Sequence, residues 1–406
     1  MASTKGRTIV RGRSRSKRVG ATWRVLQDEQ QASILTCRCS SKKEQLICNQ
    51  QMECSSPPAG SIHVAFDTPE QTQSMVKNHF ATDSGYASRT LPTFLGIGSM
   101  RCGSTWLYEV LRRHPDVQLA SCKEMDFFFM HKMLEHDFDW YESHFRRSDG
   151  APPKPIRGEI SPLYARLKGW QVKRIASFLP DARIVLALRH PIDRVWSQAV
   201  YEFGHRSHRD VRKVGALEFL RQVERQRSRL SSDYCRTIRI WSDAFGADAL
   251  HIALFDQLRA DPQTYVENIL KHIGASTPWT IPADLLAKKV WATNTLVKHD
   301  RKIPELVRWY IADRLLKPTE RLNEILQGQV SKWVDELREI RAQGRFSWRL
   351  LKRLNRAVLS VPETLAYEAY HAVLDVRLLL RWRQLRNVYS VQRDNDRSEL
   401  KLQSSY

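Results

Sequence analysis

Thr93 to Arg113 reads TFLGIGSMRCGSTWLYEVLRR, and the character of the chain changes twice within it. Thr93, Phe94, Leu95 and Ile97 form an apolar run with β character, and a glycine-bearing turn follows from Gly98 to Gly103. From Ser104 the period is helical, with Leu107, Val110 and Leu111 on one face. A strand, a tight loop and a helix start make a phosphate cradle, because the first N–H groups of a helix have no intrahelical partner and carry partial positive charge. Gly98 and Gly103 have the five-residue spacing of G-x-x-x-x-G-K-[ST], but Ser104 stands where that motif has lysine. The nearest cation is Arg101, inside the loop. The stretch therefore predicts a nucleotide-phosphate site and argues against an ordinary magnesium-dependent NTPase.

Outward from this loop, strand and helix patterns alternate. Val117 to Ala120 reads as a short strand, and CKEMDFFFM (Cys122 to Met130) sets charges beside three phenylalanines, which are read as core more than as a substrate platform. Ile156 to Ile160 reads as a strand that delivers Glu159 to its C-terminal end, with Ser161-Pro162 starting a turn. Arg183 to Leu188 (RIVLAL) is a continuous apolar run of the kind buried on both faces of a parallel sheet. Arg189-His190-Pro191 ends it, and Asp193 is placed to cap the next helix. A basic helix-prone stretch runs from Arg206 to Arg229; then come a helix from Tyr234, a strand from Leu250 and a helix from Pro262 to Ile273 that ends at Gly274. This order predicts an α/β fold with a parallel sheet. In such sheets ligands sit at the C-terminal strand ends, where the Gly98 loop, Glu159 and Arg189 all fall.

The 406 residues allow one large domain with extensions, and a 42% hydrophobic fraction suffices for a core. No apolar run reaches the ~18 residues expected of a membrane-spanning helix. A net charge of +21 predicts anionic partners without choosing among nucleic acid, acidic glycan, membrane surface and phosphorylated nucleotide. Residues 1–88 read as a basic, disordered leader: the first 24 residues hold eight Lys or Arg and no acid, which also suits an organellar transit peptide. Cys37, Cys39, Cys48 and Cys54 lack the paired C-x2-C spacing of a zinc module. Residues 346–406 read as a basic helical C-terminal extension, with Phe346 to Val361 amphipathic and a longer helix from Pro362 to Arg386. Such helices can pack as a further layer, lie on a membrane surface or bind a partner.

Several of these segments together resemble the sulfotransferases that use 3′-phosphoadenosine 5′-phosphosulfate (PAPS). MRCGSTWL (Met100 to Leu107) is similar to the 5′-phosphosulfate loop, and ALRHPIDRVWSQ (Ala187 to Gln198) to the 3′-phosphate motif R-x-P-x-x-R-x-x-S. KEMDFFF and GEISPLY resemble segments of the carbohydrate-type branch and its bacterial relatives, and Tyr234 to Pro262 is similar to the helix, strand and acidic turn that follow. The resemblance implies a P-loop-like three-layer sandwich with a central parallel sheet, in a sulfotransferase domain over residues 89–345. It implies PAPS as sulfuryl donor, no required metal, and binding by Met100, Arg101, Cys102, Gly103, Ser104, Thr105, Trp106, Arg189 and Ser197. Arg101 takes the place of a catalytic lysine. Glu124 or Glu159 is the implied base, the adjacent phenylalanines desolvating Glu124 and raising its pKa, and Asp126 stands where some members have histidine.

Sulfuryl transfer from a phosphosulfate calls for cationic side chains and amide donors, with in-line positioning and charge stabilisation at the leaving oxygen. The competing readings are a kinase or NTPase with an aberrant loop, which Ser104 disfavours, and a basic nucleic-acid-binding protein whose tails dominate. The implied acceptor is a hydroxyl or amine, and the arginines between Gly204 and Ser232 suit an anionic glycan, although a solvated helix face explains the same charges equally well. No specific nucleic acid is expected. With no anchor visible, a cytoplasmic location is expected, an organelle being the alternative.

Overall fold

β1, Phe94–Gly98, is the middle strand of a five-stranded, all-parallel sheet of order β2-β3-β1-β4-β5. The computed structural model describes residues 90–287, 302–344 and 365–383, apart from positions 130, 148, 366 and 367. The leader with its cysteine cluster and the amphipathic stretch 346–361 lie outside the described residues.

In chain order, β1 is followed by α1 (Ser104–Leu111), β2 (Val117–Leu119), α2 (Phe138–Ser143) and β3 (Ile156–Ile160). Then come α3 (Gly169–Phe178), β4 (Arg183–Leu188), α4 (Pro191–Val200), α5 (Ala216–Glu224), α6 (Gln226–Ser232), α7 (Tyr234–Phe245) and β5 (Leu250–Leu254). After β5 lie α8 (Pro262–His272), α9 (Glu305–Ile325), α10 (Ser331–Ala342) and α11 (368–383).

Alternation along the strands makes three layers. Leu95, Ile97, Ile184, Leu186 and Leu188 face a core built with Val172, Ile175, Ile238 and Trp241 of α3 and α7. Phe94, Val185, Ile160 and Ala253 face the opposite core, filled by Trp106, Leu107, Val110, Val266 and Ile269 of α1 and α8. Ile192, Val195, Phe219, Val307, Ile311 and Leu337 form a third, helical core among α4, α5, α9 and α10.

The strands read from the sequence are present within a residue of their expected ends. One local expectation fails. Helix α4 begins at Pro191 with His190 as its N-cap and no capping side chain, so Asp193 lies in the first turn and pairs with Arg189 at 3.7 Å. The proline at N1, whose ring presets φ, starts the helix earlier than a side-chain cap would. The helix-prone stretch 206–229 is helical in pieces, a π-helical turn (Tyr201–Arg206) leading to a 3-10 turn, α5 and α6.

Because β1 lies between β3 and β4, the loops after all three strands meet above one edge of the sheet. The order reverses around β1, which is where open parallel sheets hold ligands.

Candidate active site

The loop after β1 is held from below and from both sides. Ser99 N–H donates to the Ala187 carbonyl of β4 at 2.8 Å, and its hydroxyl to the Ser231 carbonyl of α6 at 2.7 Å. Arg101 has φ 68° and Gly103 φ 89°, two left-handed residues that turn the chain so that α1 starts at Ser104. The first helical bond runs from Leu107 N–H to the Gly103 carbonyl, so the N–H groups of Ser104, Thr105 and Trp106 open the helix. A Cβ at Gly103 would stand 3.2 Å from both Phe255 and Leu258. Gly103→Ala is therefore expected to cost ~1–2 kcal/mol from the left-handed backbone alone, read as a lower thermal midpoint together with weaker nucleotide binding.

Phe255, directly after β5, is the floor of the site. It fills the space under Gly103, and the Arg189 guanidinium lies 4.8 Å above its ring. Arg189 Nη1 donates to the Arg101 carbonyl at 3.3 Å, while its Nε is buried with no hydrogen-bond partner among the described residues. Arg101 Nε donates to Ser197 Oγ at 3.1 Å, and its guanidinium lies 4.9 Å over the Tyr201 ring. The glycine loop and the arginine that ends β4 thus meet in one place, with cationic groups facing it.

Burial holds the Arg101 guanidinium below its ordinary pKa; the Tyr201 and Glu124 charges work against that shift and the neighbouring Arg189 charge works with it. Arginine remains protonated at any physiological pH all the same.

Not every side chain implied by the resemblance faces this space. Met100, Ser104 and Thr105 are half-buried around the loop. Cys102 is fully buried, and burial pushes its thiol up to about 11. The Trp106 indole is buried and donates to the Leu285 carbonyl at 3.1 Å, leaving its backbone N–H at the helix start. Arg194, the second arginine of the motif, is wholly buried. It donates to Gln198 Oε1 at 2.6 Å and to the Ser228 carbonyl and Ser232 hydroxyl, which ties α4 to α6.

The two glutamates have opposite surroundings. Glu159 is 1% exposed and accepts hydrogen bonds from Tyr141 Oη at 2.6 Å, Ser161 Oγ at 2.7 Å and Tyr164 Oη at 2.9 Å. Burial raises its pKa, and the three hydroxyls reduce that rise. Glu124 is 48% exposed, pairs with Lys123 and is close enough to Arg101 and Tyr201 for its charge to be felt by both. The expected desolvation of Glu124 by the phenylalanines is absent: Phe127 and Phe128 turn into the core, Phe127 stacked on Tyr141 and Phe128 tilted against Tyr164. Asp126 has φ 51° and its N–H donates to Ser161 Oγ. Burial first, then the charges of Glu124 and Glu159, pushes the Asp126 carboxyl well above the usual range.

Tyr201 and Phe255 were not legible as site residues in the sequence, although Tyr201 carried a usable signal. It lies four residues beyond Ser197, on the same helical face, with His205 stacked on it one turn further at 4.9 Å.

Comparisons with known proteins bear on this arrangement. A family model described as "Sulfotransferase family" matches residues 161–280, a span that contains Arg189 and Ser197 and starts after the glycine loop. The chain is 32% identical over 108 residues to the membrane-associated sulfotransferase kil1 of Dictyostelium discoideum, covering 27% of this chain and 22% of that protein. It is 29% identical over 208 residues to the human bifunctional heparan sulfate N-deacetylase/N-sulfotransferase 3, covering 45% of this chain and 22% of that protein. The matches thus span about a fifth of the length of these curated relatives. A solved sulfotransferase from Alicyclobacillus acidocaldarius aligns over 60% of this chain and 98% of its own, at 23% identity and a TM-score of 0.48.

The relatives overturn the expected cytoplasmic location, since one of them is by name membrane-associated. That expectation rested on the lack of a visible anchor. Among the described residues no helix is long and apolar enough to cross a membrane, but this does not fix a compartment. The family match over residues 161–280 and the curated relatives support a member of the sulfotransferase family.

Proposed function

We propose that this protein moves a sulfuryl group from PAPS to an amine or hydroxyl of a glycan, with Glu124 as base. The observation that carries the reading is the contact of the two anion-binding elements: Arg189 reaches the Arg101 carbonyl, and Arg101 reaches Ser197. One nucleotide with a phosphate at each end fits such a site. The buried Nε of Arg189, with no partner among the described residues, suits it.

When bound, PAPS supplies the sulfuryl group and a stable leaving nucleotide. The N–H groups at the start of α1, with the Ser104 and Thr105 hydroxyls, hold the 5′ end. Arg189 and Ser197 hold the 3′-phosphate, the arginine through charge-assisted bonds. Arg101 stabilises charge on the leaving oxygen without giving up its proton. Glu124, solvent-facing and within electrostatic reach of Arg101, takes the acceptor's proton. Glu159 is committed to three hydroxyls and holds Ser161, which in turn receives the Asp126 N–H, so its role is to position that segment. The glycan acceptor is suggested by the heparan sulfate relative and by the chain's charge of +21.

The test has two parts. 3′-Phosphoadenosine 5′-phosphate should raise the melting temperature without magnesium while ATP does not, and labelled PAPS should sulfate a glycan panel. Arg189→Ala should weaken binding of that nucleotide by ~2–3 kcal/mol, the worth of a charge-assisted contact, measured by calorimetry. An unchanged affinity would remove the site.

A further inference from the structure

Five of the eight large apolar side chains that stand exposed among the described residues lie on one short element, α11 and its approach: Leu365, Val373, Val376, Leu379 and Leu380. This helix has two apolar faces. Leu374, Leu378 and Trp382 are buried, Trp382 stacking parallel to Phe128 with ring centres 6.3 Å apart. Asp375 pairs with Lys168 of the loop before α3, and Glu368 accepts from Gln226 of α6 at 3.1 Å. These contacts fix the rotation of the helix. Val373, Val376 and Leu380, at i, i+3 and i+7, then form a stripe that points outward, with Leu379 beside it and exposed Arg377 and Arg383 along the flanks.

We propose that this outward face of α11 lies on an anionic lipid bilayer, its aliphatic side chains entering the headgroup–acyl boundary and its arginines meeting lipid headgroups. Charge selects this occupant. The stretch 345–386 holds nine Lys or Arg against three acids, and the whole chain carries +21. A second copy docked through the same stripe would set arginine against arginine, which like-charge repulsion disfavours. The stripe is Val and Leu only, without the outward Trp or Tyr anchors that dominate protein interfaces. A bilayer with anionic headgroups offers acyl chains to the stripe and negative charge to its flanks at the same time. Among the described residues no helix is long and apolar enough to cross a bilayer, and lying in its surface needs only one apolar face.

Flotation of the full chain with phosphatidylcholine vesicles, with and without phosphatidylserine, tests this. Capture should need phosphatidylserine and weaken with salt. The double variant Val376→Asp, Leu380→Asp should lower capture about tenfold or more, with its melting temperature and its affinity for 3′-phosphoadenosine 5′-phosphate unchanged. Arg377→Glu with Arg383→Glu should remove the preference for phosphatidylserine. Equal capture of wild type and the aspartate variant would overturn the proposal, because binding would then come from the rest of this basic chain. So would absence of capture, or a wild-type dimer that the aspartate variant dissociates.

Discussion

Arg101→Ala should lower the rate of sulfuryl transfer by about two to three orders of magnitude, the usual effect of deleting one preorganised donor to a developing oxyanion. Affinity for the nucleotide product should change far less, because Arg189, Ser197 and the backbone N–H groups remain. The geometry explains the split. Arg101 is held in a left-handed conformation, its carbonyl taken by Arg189, its Nε by Ser197 and its guanidinium spread over the Tyr201 ring. That conformation costs ~1–2 kcal/mol for a residue with a Cβ, and the three contacts offset it while aiming the charge. Arg101→Lys is the informative companion. Lysine keeps a cation near the leaving oxygen and, unlike arginine, can lose its proton, so most activity should return with a new loss of rate at high pH. Single-turnover rates across pH would read both variants. If Arg101→Ala turned over like wild type, Arg101 would have no part in the chemistry.

The turn was legible because a strand that passes through a tight loop into a helix leaves a local trace: two glycines, a hydroxyl pair and a switch of period, all within Thr93 to Arg113. The sheet was legible for a similar reason, since a strand buried on both faces must be apolar throughout, as RIVLAL is. What the sequence did not disclose is set by contacts between distant segments. Phe255 is the floor of the site only because β5 lies beside β4, and Phe255 packs under Gly103, 152 positions earlier in the chain. Glu124 and Glu159 look equivalent in the sequence, each an acid beside apolar residues. The fold separates them, because Tyr141, Ser161 and Tyr164 converge on one and leave the other in solvent. Similarly, the three phenylalanines read as a block, but Phe127 and Phe128 join the aromatic core that supports Glu159 and only Phe129 stays partly exposed. Arg194 fits a phosphate-binding motif by position, yet it is spent on α6.

Glu159→Ala should be the most destabilising single change near the site. It strands the buried O–H donors of Tyr141, Ser161 and Tyr164, each worth ~1–3 kcal/mol when left without an acceptor, so a loss of at least ~3 kcal/mol is expected, lowering the melting temperature by roughly 6–12 °C. Glu159→Gln keeps an acceptor for the two tyrosines and should match wild type to within about 1 kcal/mol at low pH. The pair also carries a signature in pH. Burial raises the Glu159 pKa above its ordinary 4.5, so between 4.5 and the folded value the native protein retains a proton that the unfolded chain has released. Stability from this group is complete below 4.5 and is lost as pH rises through that window. Asp126, raised in the same direction and partly by the Glu159 charge, adds to the slope. Denaturant unfolding of wild type and Glu159→Gln across this range should give profiles that meet at low pH and diverge upward, with wild type falling faster. Parallel profiles would mean that Glu159 is ionised in the folded protein at no cost, its three hydroxyls balancing its burial, and a wild type that rose relative to Glu159→Gln would mean that they outweigh it.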